Sequence, residues 1–589
     1  MPRLVGCFCC LVALGAALCA TAAHAPTKDD FLVKGLEAIV PAFGDFDGDL
    51  YAGTISTDPP HNHDDDDDDD DDDKNNHHHH HQDEGGSFMF FFFDPRQPAI
   101  SDSLVIWFNG GPGCSSVAGM LFENSPVTVP LRPAGFVGSK AHDPLLVNEY
   151  GWTKSTAIMY IEQPHGVGYS KGPEPQNEDD VARYFVNFLR NFYNAFGDEY
   201  RAKRLYLFGE SYAGYYVPSM AHKIHQLNKQ EKRKASQIPL HGIALGNGWV
   251  DAAVQGPMLV QYAWWHGLID TTTKYALQEE WEKCRAAGGP SPAIMPEPLH
   301  PFTTPDDCGM VGAVVKAAGG GIFEQYYKYG PYDIPGVNIY DVTTWDGYAV
   351  LFDEHSTYSQ FFNDPRVKEM IHAPADMYWE QCIPGAGRRR RRRRRLMLDH
   401  DQPESVMPYI AEMLDQAKIQ VLIYNGDRDM STCSQGNEVL LDEMDWSGAA
   451  DWKDPHVTRR GLWVVQDKPA GYSKTLHNLN FVVVYNSGHL APYNQPAVAL
   501  DLVTRYLNGT SFADHDLPIF APSKTYVEQR HYNPSSSDGS MRSDEELEDN
   551  KSGMNFSILS LILGILLGVV GTVLYNKYAG STKHNYERV

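Results

Sequence analysis

Six short apolar runs, each followed by a turn, constrain the fold of this chain more than any other feature of its sequence. They cover residues 103–110, 157–164, 204–210, 241–248, 419–426 and 481–489. Buried runs that alternate with helical segments are typical of a largely parallel sheet covered on both faces. Several runs end in Asn, Gly, Asp or His, where the loops of a functional site leave the edge of such a sheet. The sequence therefore predicts an α/β fold with its site at that edge.

The run at 204–210 continues into the stretch LYLFGESYAGYYVP, which begins at Leu205 and ends at Pro218. An apolar strand reaches Gly209 and Glu210, Ser211 follows at a sharp turn, and a helix is predicted over roughly 212–229. A serine at the tip of a strand–turn–helix unit is typical of a nucleophile in a serine hydrolase. Glu210 then poses a problem, because a carboxylate beside the serine would repel the oxyanion that catalysis creates.

A nucleophilic serine needs a base and an acid that orients the base. The stretch IYNGDRDM offers Asp427 and Asp429 after one strand, and YNSGHLAP offers His489 after the last one. The order Ser, Asp, His along the chain is the order that this kind of fold uses. The chain has 24 histidines, so His489 is distinguished by its Gly-flanked loop after a buried strand.

An early glycine-rich loop is the candidate for one half of an oxyanion hole. The stretch WFNGGPGCSS, Trp107–Ser116, leaves its strand in glycines, which let backbone N–H groups approach a ligand closely. We expect the second donor to be the backbone N–H of Tyr212, the residue after the candidate nucleophile.

The motifs WFNGGPGCSS, GESYAGYYVP, IYNGDRD and SGHLAP together resemble the serine carboxypeptidases, an α/β-hydrolase family that removes C-terminal amino acids. The resemblance covers roughly residues 30–520. It implies a mostly parallel central sheet flanked by helices, with a cap inserted at about 250–361, and neither a cofactor nor a metal. The roles that it implies are nucleophile for Ser211, triad partners for Asp429 and His489, oxyanion donors for Gly111 and Tyr212, and binding of the substrate carboxylate for Asn109, Glu123 and Glu210.

These roles resolve the problem of Glu210. Two carboxyl groups held against a substrate carboxylate cannot all be ionised, because like charges in a poorly solvated site raise one another's pKa. Protonated Glu210 and Glu123 would donate hydrogen bonds to the substrate. An enzyme of this kind is expected to work best in acid.

Five cysteines lie beyond the predicted signal peptide, and the secretory route favours pairs, so an odd count leaves one thiol free. The resemblance implies a Cys114–Cys382 disulfide and a second bridge, Cys284–Cys308, within the cap. Cys433 would then be the free thiol.

The two ends of the chain predict a type I membrane protein. Residues 1–22 read as a signal peptide, with an uncleaved anchor as the less favoured alternative. The catalytic domain is expected at 23–525, an acidic Ser-rich stalk at 526–553, a transmembrane helix at 554–576 and a cytosolic tail at 577–589. A glycosylphosphatidylinositol signal is disfavoured by the basic tail. Gly564 and Gly568 form a G-x-x-x-G pair that could dimerise the helix.

This layout resembles the membrane-anchored, pheromone-processing carboxypeptidases of fungi, which reside in the Golgi and trim Lys and Arg. The tail ends in YERV, a Tyr-x-x-apolar pattern found in sorting signals. The location predicted for the catalytic domain is the lumen of the Golgi, trans-Golgi or endolysosomal and vacuolar membranes. Sequons at Asn508 and Asn550 predict N-glycosylation.

The formal net charge of −27 argues against a nucleic-acid partner. Low-complexity inserts occupy 61–84, with ten Asp and a His run, and 388–395, with eight Arg. We interpret the first as a solvated surface insert rather than a metal site. The second is either a solvated loop or, as in some relatives, a segment that proteases remove.

Two other functions use the same kind of fold. A plant-type acyltransferase or lyase would use the triad on other esters, but Asn109, Glu123 and Glu210 favour a peptide carboxylate. A non-catalytic binding protein would be expected to lack a member of the triad, and all three residues are present. Peptides or proteins with a free C-terminus are therefore the predicted substrates.

Overall fold

The computed structural model describes residues 25–60, 85–97, 102–129, 145–233, 236–286, 313–314, 317–318, 337–344, 357–383 and 405–519. The predicted signal peptide, both low-complexity inserts, the stalk, the membrane span with Gly564 and Gly568, the tail and Asn550 lie outside these residues. Among the residues that are described, no helix combines the length and the apolar character needed to cross a bilayer.

An eleven-stranded sheet forms the centre of the fold, with the strand order β1-β2-β6-β3-β7-β8-β9-β12-β11-β10-β13. All six predicted runs are strands of this sheet, and they pair in parallel to form its middle. These middle strands are β3 (Ser103–Phe108), β6 (Ala157–Glu162), β7 (Arg204–Glu210), β8 (Leu240–Gly246), β9 (Gln420–Gly426) and β12 (Leu479–Val484).

Five strands that the sequence analysis did not identify extend the sheet at both edges with antiparallel pairing. They are β1 (Gly48–Ser56), β2 (Ser87–Pro95), β10 (Arg459–Val465), β11 (Lys468–Leu476) and β13 (His515–Asp516). A separate pair joins β4 (Val127–Thr128) to β5 (Leu146–Val147). The sheet is therefore parallel in its middle and antiparallel at its flanks.

Alternate residues of each middle strand face two different apolar layers. In β3, Leu104 and Ile106 belong to one cluster of buried side chains, whereas Val105 and Trp107 belong to the other. Both faces of the strand are buried, as expected for a parallel strand covered by helices on each side. This explains why the runs are continuously apolar instead of alternating with polar residues.

Helices cover both faces of the sheet. In the described part of the chain they are α1 (Glu178–Phe196), α2 (Asp198–Arg201), α3 (Ala213–Gln230), α4 (Ala252–Trp265), α5 (Thr271–Ala286), α6 (Thr357–Asn363), α7 (Pro365–Met370), α8 (Met407–Glu412), α9 (Ser434–Glu443), α10 (Ala449–Lys453), α11 (Ala491–Asn494) and α12 (Pro496–Asn508). One face packs against α1, α3, α4, α8 and α9, and the other packs against α6, α7 and α12. Shorter helical turns cover Lys28–Phe31, Leu36–Ala38, Pro41–Asp45, Gly119–Asn124, Trp152–Lys154 and Met413–Ala417.

Helix α1 shows how local sequence sets the ends of these elements. The side chain of Asn177 accepts a hydrogen bond from the backbone N–H of Asp180, and acidic residues fill the first turn. The helix ends at Gly197, whose φ of 89° suits glycine. The helix predicted after Ser211 is α3, within two residues of its expected bounds. The range proposed as a cap contains α4 and α5, and much of its remainder lies outside the described residues.

Candidate active site

The residues singled out in the sequence follow the carboxyl ends of the parallel strands, which meet at one edge of the sheet. Asn109 follows β3, Ser211 follows β7, Asp429 follows β9 and His489 follows β12. Neighbouring parallel strands bring these loops together even though the residues are far apart in sequence. The edge of the sheet predicted to carry the site therefore carries all four.

Ser211 lies at a sharp turn between β7 and α3. Its φ is 63°, a left-handed conformation that is uncommon for a non-glycine residue. Its backbone N–H donates to the carbonyl of Gly246 at the end of β8, at 3.1 Å. This conformation is the strained turn expected of a nucleophile elbow.

The glycine loop and the turn at Ser211 approach each other closely. A Cβ atom on Gly110 would lie 2.4 Å from the backbone nitrogen of Tyr212, so glycine is required at that position. Gly111 has a φ of 117°, which also favours glycine. The loop that holds Gly111 therefore lies beside the backbone N–H of Tyr212, an arrangement that two oxyanion donors would require.

His489 is hydrogen-bonded to Asp429. Its Nδ1 lies 2.7 Å from Oδ2 of Asp429, which makes Nδ1–H the donor. Both side chains are buried, with 4% and 0% of their surface exposed. Asp427, the other aspartate in this loop, accepts instead from the backbone N–H of Ser487 at 3.1 Å. The structure therefore pairs Asp429 with His489.

Three further donors contact Asp429. Asn247 Nδ2 and Thr432 Oγ1 each donate to Oδ2 at 2.7 Å, and the backbone N–H of Ser431 donates to Oδ1 at 2.8 Å. The sequence analysis did not single out Asn247 or Thr432. Asn247 could have been found from the sequence, because it lies between two glycines at the end of β8. No sequence feature distinguishes Thr432.

Glu123 and Glu210 form a buried pair of carboxyl groups. Asn109 Nδ2 contacts both groups, and a proton on one carboxyl group would allow it to donate a hydrogen bond to the other. Burial raises the pKa of Glu123 above its ordinary value. Burial also raises the pKa of Glu210 well above 4.5, and the negative charge of Glu123 adds to this effect. Burial therefore favours the protonated form of both carboxyl groups.

Asn109 joins this pair in a fixed orientation. Its Oδ1 accepts from Trp107 Nε1 at 3.0 Å and from the backbone N–H of Gly119 at 2.8 Å. Its Nδ2 group must then point the other way, and it donates to Glu210 Oε1 at 3.0 Å and to Glu123 Oε1 at 3.5 Å. The three residues predicted to bind a carboxylate are thus in contact with one another.

The carboxyl pair and the Asp–His pair belong to the same site. The charge of Asp429 contributes to the raised pKa of Glu210, and His489 lies close enough to lower the pKa of Glu123. Two buried carboxyl groups with raised pKa values therefore lie near the Asp429–His489 pair.

A disulfide links the glycine-rich loop, Trp107–Ser116, to a distant part of the chain. Cys114 is bonded to Cys382, as predicted. Around it, the backbone N–H of Ser115 donates to the carbonyl of Gln381 at 2.7 Å, and that of Ile383 donates to the carbonyl of Gly113 at 2.9 Å. The loop that carries Gly111 is therefore held to residues 381–383 by covalent and hydrogen bonds.

Glu162 is a buried carboxyl behind this loop that the sequence analysis did not single out. Its Oε1 accepts from Ser115 Oγ at 2.8 Å and from Trp379 Nε1 at 2.6 Å, and its Oε2 accepts from the backbone N–H of Tyr169 at 2.7 Å. Burial raises its pKa to about 7, against the opposing effect of these bonds.

Cys433 is a free, buried thiol, as predicted, and burial raises its pKa to about 12. The predicted Cys284–Cys308 bridge lies outside the described residues, because Cys308 is not among them. Asn508, the predicted glycosylation site that lies among the described residues, is exposed at the end of α12.

The fold is that of the α/β-hydrolases, and the site resembles those of α/β-hydrolases that use a serine. A comparison with protein families then identifies the family. The model of the serine carboxypeptidase family matches residues 71–509. The chain belongs to this family.

Individual relatives include fungal and oomycete proteins. The chain is 30% identical over 415 residues to the pheromone-processing carboxypeptidase KEX1 of Puccinia graminis, across 69% of this chain and 57% of the relative. It is 27% identical over 493 residues to that of Phytophthora infestans, across 80% and 75%. It is 28% identical over 417 residues to carboxypeptidase Y of Candida albicans, across 69% and 68%.

A solved structure shares the fold. The crystal structure of Kex1(delta)p, a prohormone-processing carboxypeptidase from Saccharomyces cerevisiae, superposes with a TM-score of 0.64 at 23% identity. The match covers 83% of this chain and 98% of that one. The likeness confirms the predicted α/β-hydrolase architecture.

Proposed function

We propose that this protein is a serine carboxypeptidase that removes amino acids from the C-terminus of peptides in acid. The observation that carries the proposal is the 2.7 Å contact between His489 and Asp429, at the sheet edge that also holds Ser211 at its strained turn. The Glu123–Glu210 pair beside it supplies the preference for a terminal carboxylate.

In the acylation step, Ser211 Oγ attacks the carbonyl carbon of the last peptide bond while His489 Nε2 takes the hydroxyl proton. Asp429 holds the imidazole through Nδ1–H and stabilises the imidazolium that forms. The backbone N–H groups of Gly111 and Tyr212 donate to the oxyanion. The C–N bond then breaks, and His489 returns the proton to the amine of the released amino acid.

In the deacylation step, water replaces the leaving amino acid. His489 takes a proton from the water, whose oxygen attacks the acyl carbon. The tetrahedral intermediate collapses, the bond to Ser211 Oγ breaks and His489 protonates the serine. The shortened peptide leaves with a new carboxyl terminus.

Asn109, Glu123 and Glu210 bind the carboxylate of the substrate by donating hydrogen bonds. Asn109 Nδ2 is already oriented toward the pair, and protonated carboxyl groups donate where carboxylates would repel. Because ionisation removes the proton that the substrate needs, binding is expected to weaken as the pH rises through the raised pKa values of the pair.

The test uses the purified chain with two versions of each peptide, one with a free C-terminus and one with an amidated C-terminus. Products are identified by mass spectrometry at pH 4.5 and pH 7.5. We expect the release of single residues from the free peptides, faster in acid, and little release from the amidated ones. Ser211→Ala should reduce turnover by at least about 10⁴-fold, as removal of a catalytic serine does elsewhere.

Two outcomes would contradict the proposal. Turnover near that of the parent in a pure Ser211→Ala preparation would exclude the mechanism. Equal hydrolysis of free and amidated peptides would exclude recognition of the carboxylate.

We further propose that the chain processes precursors, which the names of its relatives as pheromone-processing enzymes support, and that it does so by trimming basic residues. Peptides that end in Lys or Arg should then be cleaved faster than matched peptides that end in Leu. Equal rates would contradict this specificity while leaving the carboxypeptidase activity intact.

We also propose that a signal peptide (1–22) leads the catalytic domain (23–525), with its cap at about 250–361, into the lumen of the secretory pathway. The apolar segment 554–576 would anchor it to Golgi or endolysosomal membranes as a single-pass protein, in which Gly564 and Gly568 could pair two copies. The full chain should resist carbonate extraction from its membranes. Release at high pH would contradict the anchor.

A further inference from the structure

Behind Asp429 lies a set of buried side-chain amides that the mechanism above does not use. Gln255 belongs to α4, Asn425 to β9 and Asn437 to α9, and none of them exposes more than 1% of its surface. A buried amide destabilises the fold unless its hydrogen bonds are made, and each of these three amides has hydrogen-bond partners.

Gln255 is fixed by the start of α4. Its Oε1 accepts from the backbone N–H groups of Val250 and Asp251, at 2.7 and 2.9 Å. The Nε2 group therefore points the other way, where it donates to the carbonyl of Gly248 at 2.9 Å and to Asn437 Oδ1 at 3.0 Å.

The chain of bonds continues from Asn437 to the catalytic loop. Asn437 Nδ2 donates to Asn425 Oδ1 at 3.1 Å, and Asn425 Nδ2 donates to the carbonyl of Thr432 at 3.0 Å. Each amide receives a bond on its oxygen and makes one through its nitrogen, so every orientation is determined by the one before it. Thr432 Oγ1 then donates to Asp429 Oδ2 at 2.7 Å.

The other end of the chain returns to the same carboxylate. Gly248, which accepts from Gln255, directly follows Asn247, and Asn247 Nδ2 donates to Asp429 Oδ2 at 2.7 Å. The result is a closed ring that runs from Asp429 through Thr432, Asn425, Asn437, Gln255, Gly248 and Asn247 and back. We call it the amide ring.

We propose that Gln255, Asn437 and Asn425 are positioning residues. They hold Asn247 and Thr432, two of the donors to Asp429, and thereby the angle at which Asp429 Oδ2 meets His489. The proposal rests on the function assigned above to Asp429. The ring spans α4, α9 and the loops after β8 and β9, so a shift of either helix would move Asn247 or Thr432 relative to the carboxylate. A small displacement of an orienting group lowers the rate of the chemical step without changing how substrate binds.

A purely stabilising role would give a different result, and matched variants separate the two. Asn437→Leu opens the ring with a side chain of similar size. Asn187→Leu is the control, because Asn187 is a buried amide of α1 that donates to the carbonyl of Thr57 at 3.0 Å, outside the amide ring. Both variants lose a buried amide, and only the first interrupts the ring.

Three readouts are compared with the parent: kcat, KM and the rate of reaction of Ser211 with a fluorophosphonate, which needs an aligned triad but no peptide binding. For Asn437→Leu we expect kcat and the fluorophosphonate rate to fall about tenfold or more, with KM within about twofold. The control should change neither rate by more than about twofold. Equal effects of the two variants, or a loss confined to KM, would overturn the proposal.

Gln255→Glu is the second variant, for use if Asn437→Leu does not fold. It keeps the acceptor for Val250 and Asp251, but it replaces the donating group with an oxygen that faces two other oxygens. The same fall in kcat at unchanged KM is expected, and parent-like values would contradict the ring. Asp429→Asn, measured in parallel, tests the underlying function. If kcat is unchanged in Asp429→Asn as well, the assignment of Asp429 to the triad is wrong. If kcat falls in Asp429→Asn but not in the ring variants, the triad assignment stands and the proposed role of the amide ring is wrong.

Discussion

Asp429 and Glu210 are both buried carboxyl groups at the same edge of the sheet, yet their surroundings differ in the supply of hydrogen-bond donors. Asp429 accepts from His489, Asn247, Thr432 and the backbone N–H of Ser431. Glu210 has Asn109 as its donor and a second carboxyl group, Glu123, against it. The two regions therefore offer opposite environments to the same chemical group.

This difference explains how one site can hold carboxyl groups with opposite tasks. In the proposed mechanism, the carboxylate of Asp429 stabilises the imidazolium of His489, and several donors hold that carboxylate in place. Burial and the neighbouring Glu123 raise the pKa of Glu210 and keep its proton in place. Under the proposed function, a protonated carboxyl group next to Ser211 would bind a substrate carboxylate and would not oppose the oxyanion.

The largest expected effect comes from removing the charge in the donor-rich region. Asp429→Asn should lower kcat by about 10⁴-fold, because an amide there favours the wrong tautomer of His489. Steady-state kinetics on a peptide with a free C-terminus would measure the change. Asp427→Asn is the matched control, since Asp427 bonds to Ser487 and not to His489, and it should cost less than about tenfold. If the two variants were equally impaired, the contrast between the aspartates would be wrong.

A smaller effect, on pH dependence, is expected in the donor-poor region. Glu210→Gln and Glu123→Gln keep a hydrogen-bond donor but cannot ionise. In the parent, ionisation above the raised pKa values removes the bound proton, so kcat/KM should fall by up to about tenfold for each pH unit beyond them. In either variant the decline between pH 4.5 and pH 7.5 should be shallower, whatever the maximum rate.

Glu162→Gln serves as the control for that experiment, because it removes a buried carboxyl whose pKa is also raised but which lies outside the pair. Its decline of kcat/KM with pH should follow the parent. Profiles of the Glu210 and Glu123 variants that overlay the parent would show that protonation of the pair does not govern recognition of the substrate.

The smallest expected effect is on stability and concerns Glu162. This carboxyl group is intermediate between Asp429 and Glu210, because it has several donors and a raised pKa. Glu162 has three donors, yet burial raises its pKa to about 7. The unfolded chain ionises this group near pH 4.5 and the folded chain does so only near pH 7, so its contribution to the free energy of unfolding is present in acid and is lost between these values. The loss amounts to roughly 3 kcal/mol at most.

Denaturant unfolding at pH 4.5, 6 and 7.5 measures this loss. Glu162→Gln should decrease the fall in the free energy of unfolding across that range, whatever its effect at a single pH. Glu199→Gln, which alters a carboxyl group with 67% of its side chain exposed, should leave the slope as in the parent. A slope unchanged in Glu162→Gln would mean that its three donors hold the charge as well as water does.

The sequence was sufficient to predict the elements that are determined by neighbouring residues. The middle strands were predictable because both of their faces are buried and their residues are continuously apolar, and the turn at Ser211 because strand, turn and helix adjoin. Of the flanking strands, β2 carries the same signal, since residues 88–93 are apolar and buried, and the sequence analysis overlooked it. Strand β11 was missed for the opposite reason. Strand β11, Lys468–Leu476, mixes Lys, Gly, Ser and Thr with apolar residues, and its pairing with β10 and β12 comes from its place in the sheet.

The candidate site divides in the same way. Ser211, Asp429, His489 and Asn109 were identified from motifs, and each follows the end of a strand. Glu210 ends β7 and Glu123 lies in the helical turn Gly119–Asn124, and the family resemblance implied the roles of both. Asn247, Thr432 and Glu162 carry no motif, and their importance appears when separate strands place them within hydrogen-bonding distance of a buried carboxylate.

The sequence by itself determined which chemical groups this protein possesses and which strand end each one follows. The tertiary structure decided which carboxyl groups meet donors and which meet each other. The residue pattern alone offered both Asp427 and Asp429, and the family resemblance implied Asp429. In the structure Asp429 contacts His489, whereas Asp427 bonds to the backbone of Ser487. The physical reason is that burial and hydrogen bonding set the charge of a carboxyl group, and both depend on residues brought together from distant parts of the chain.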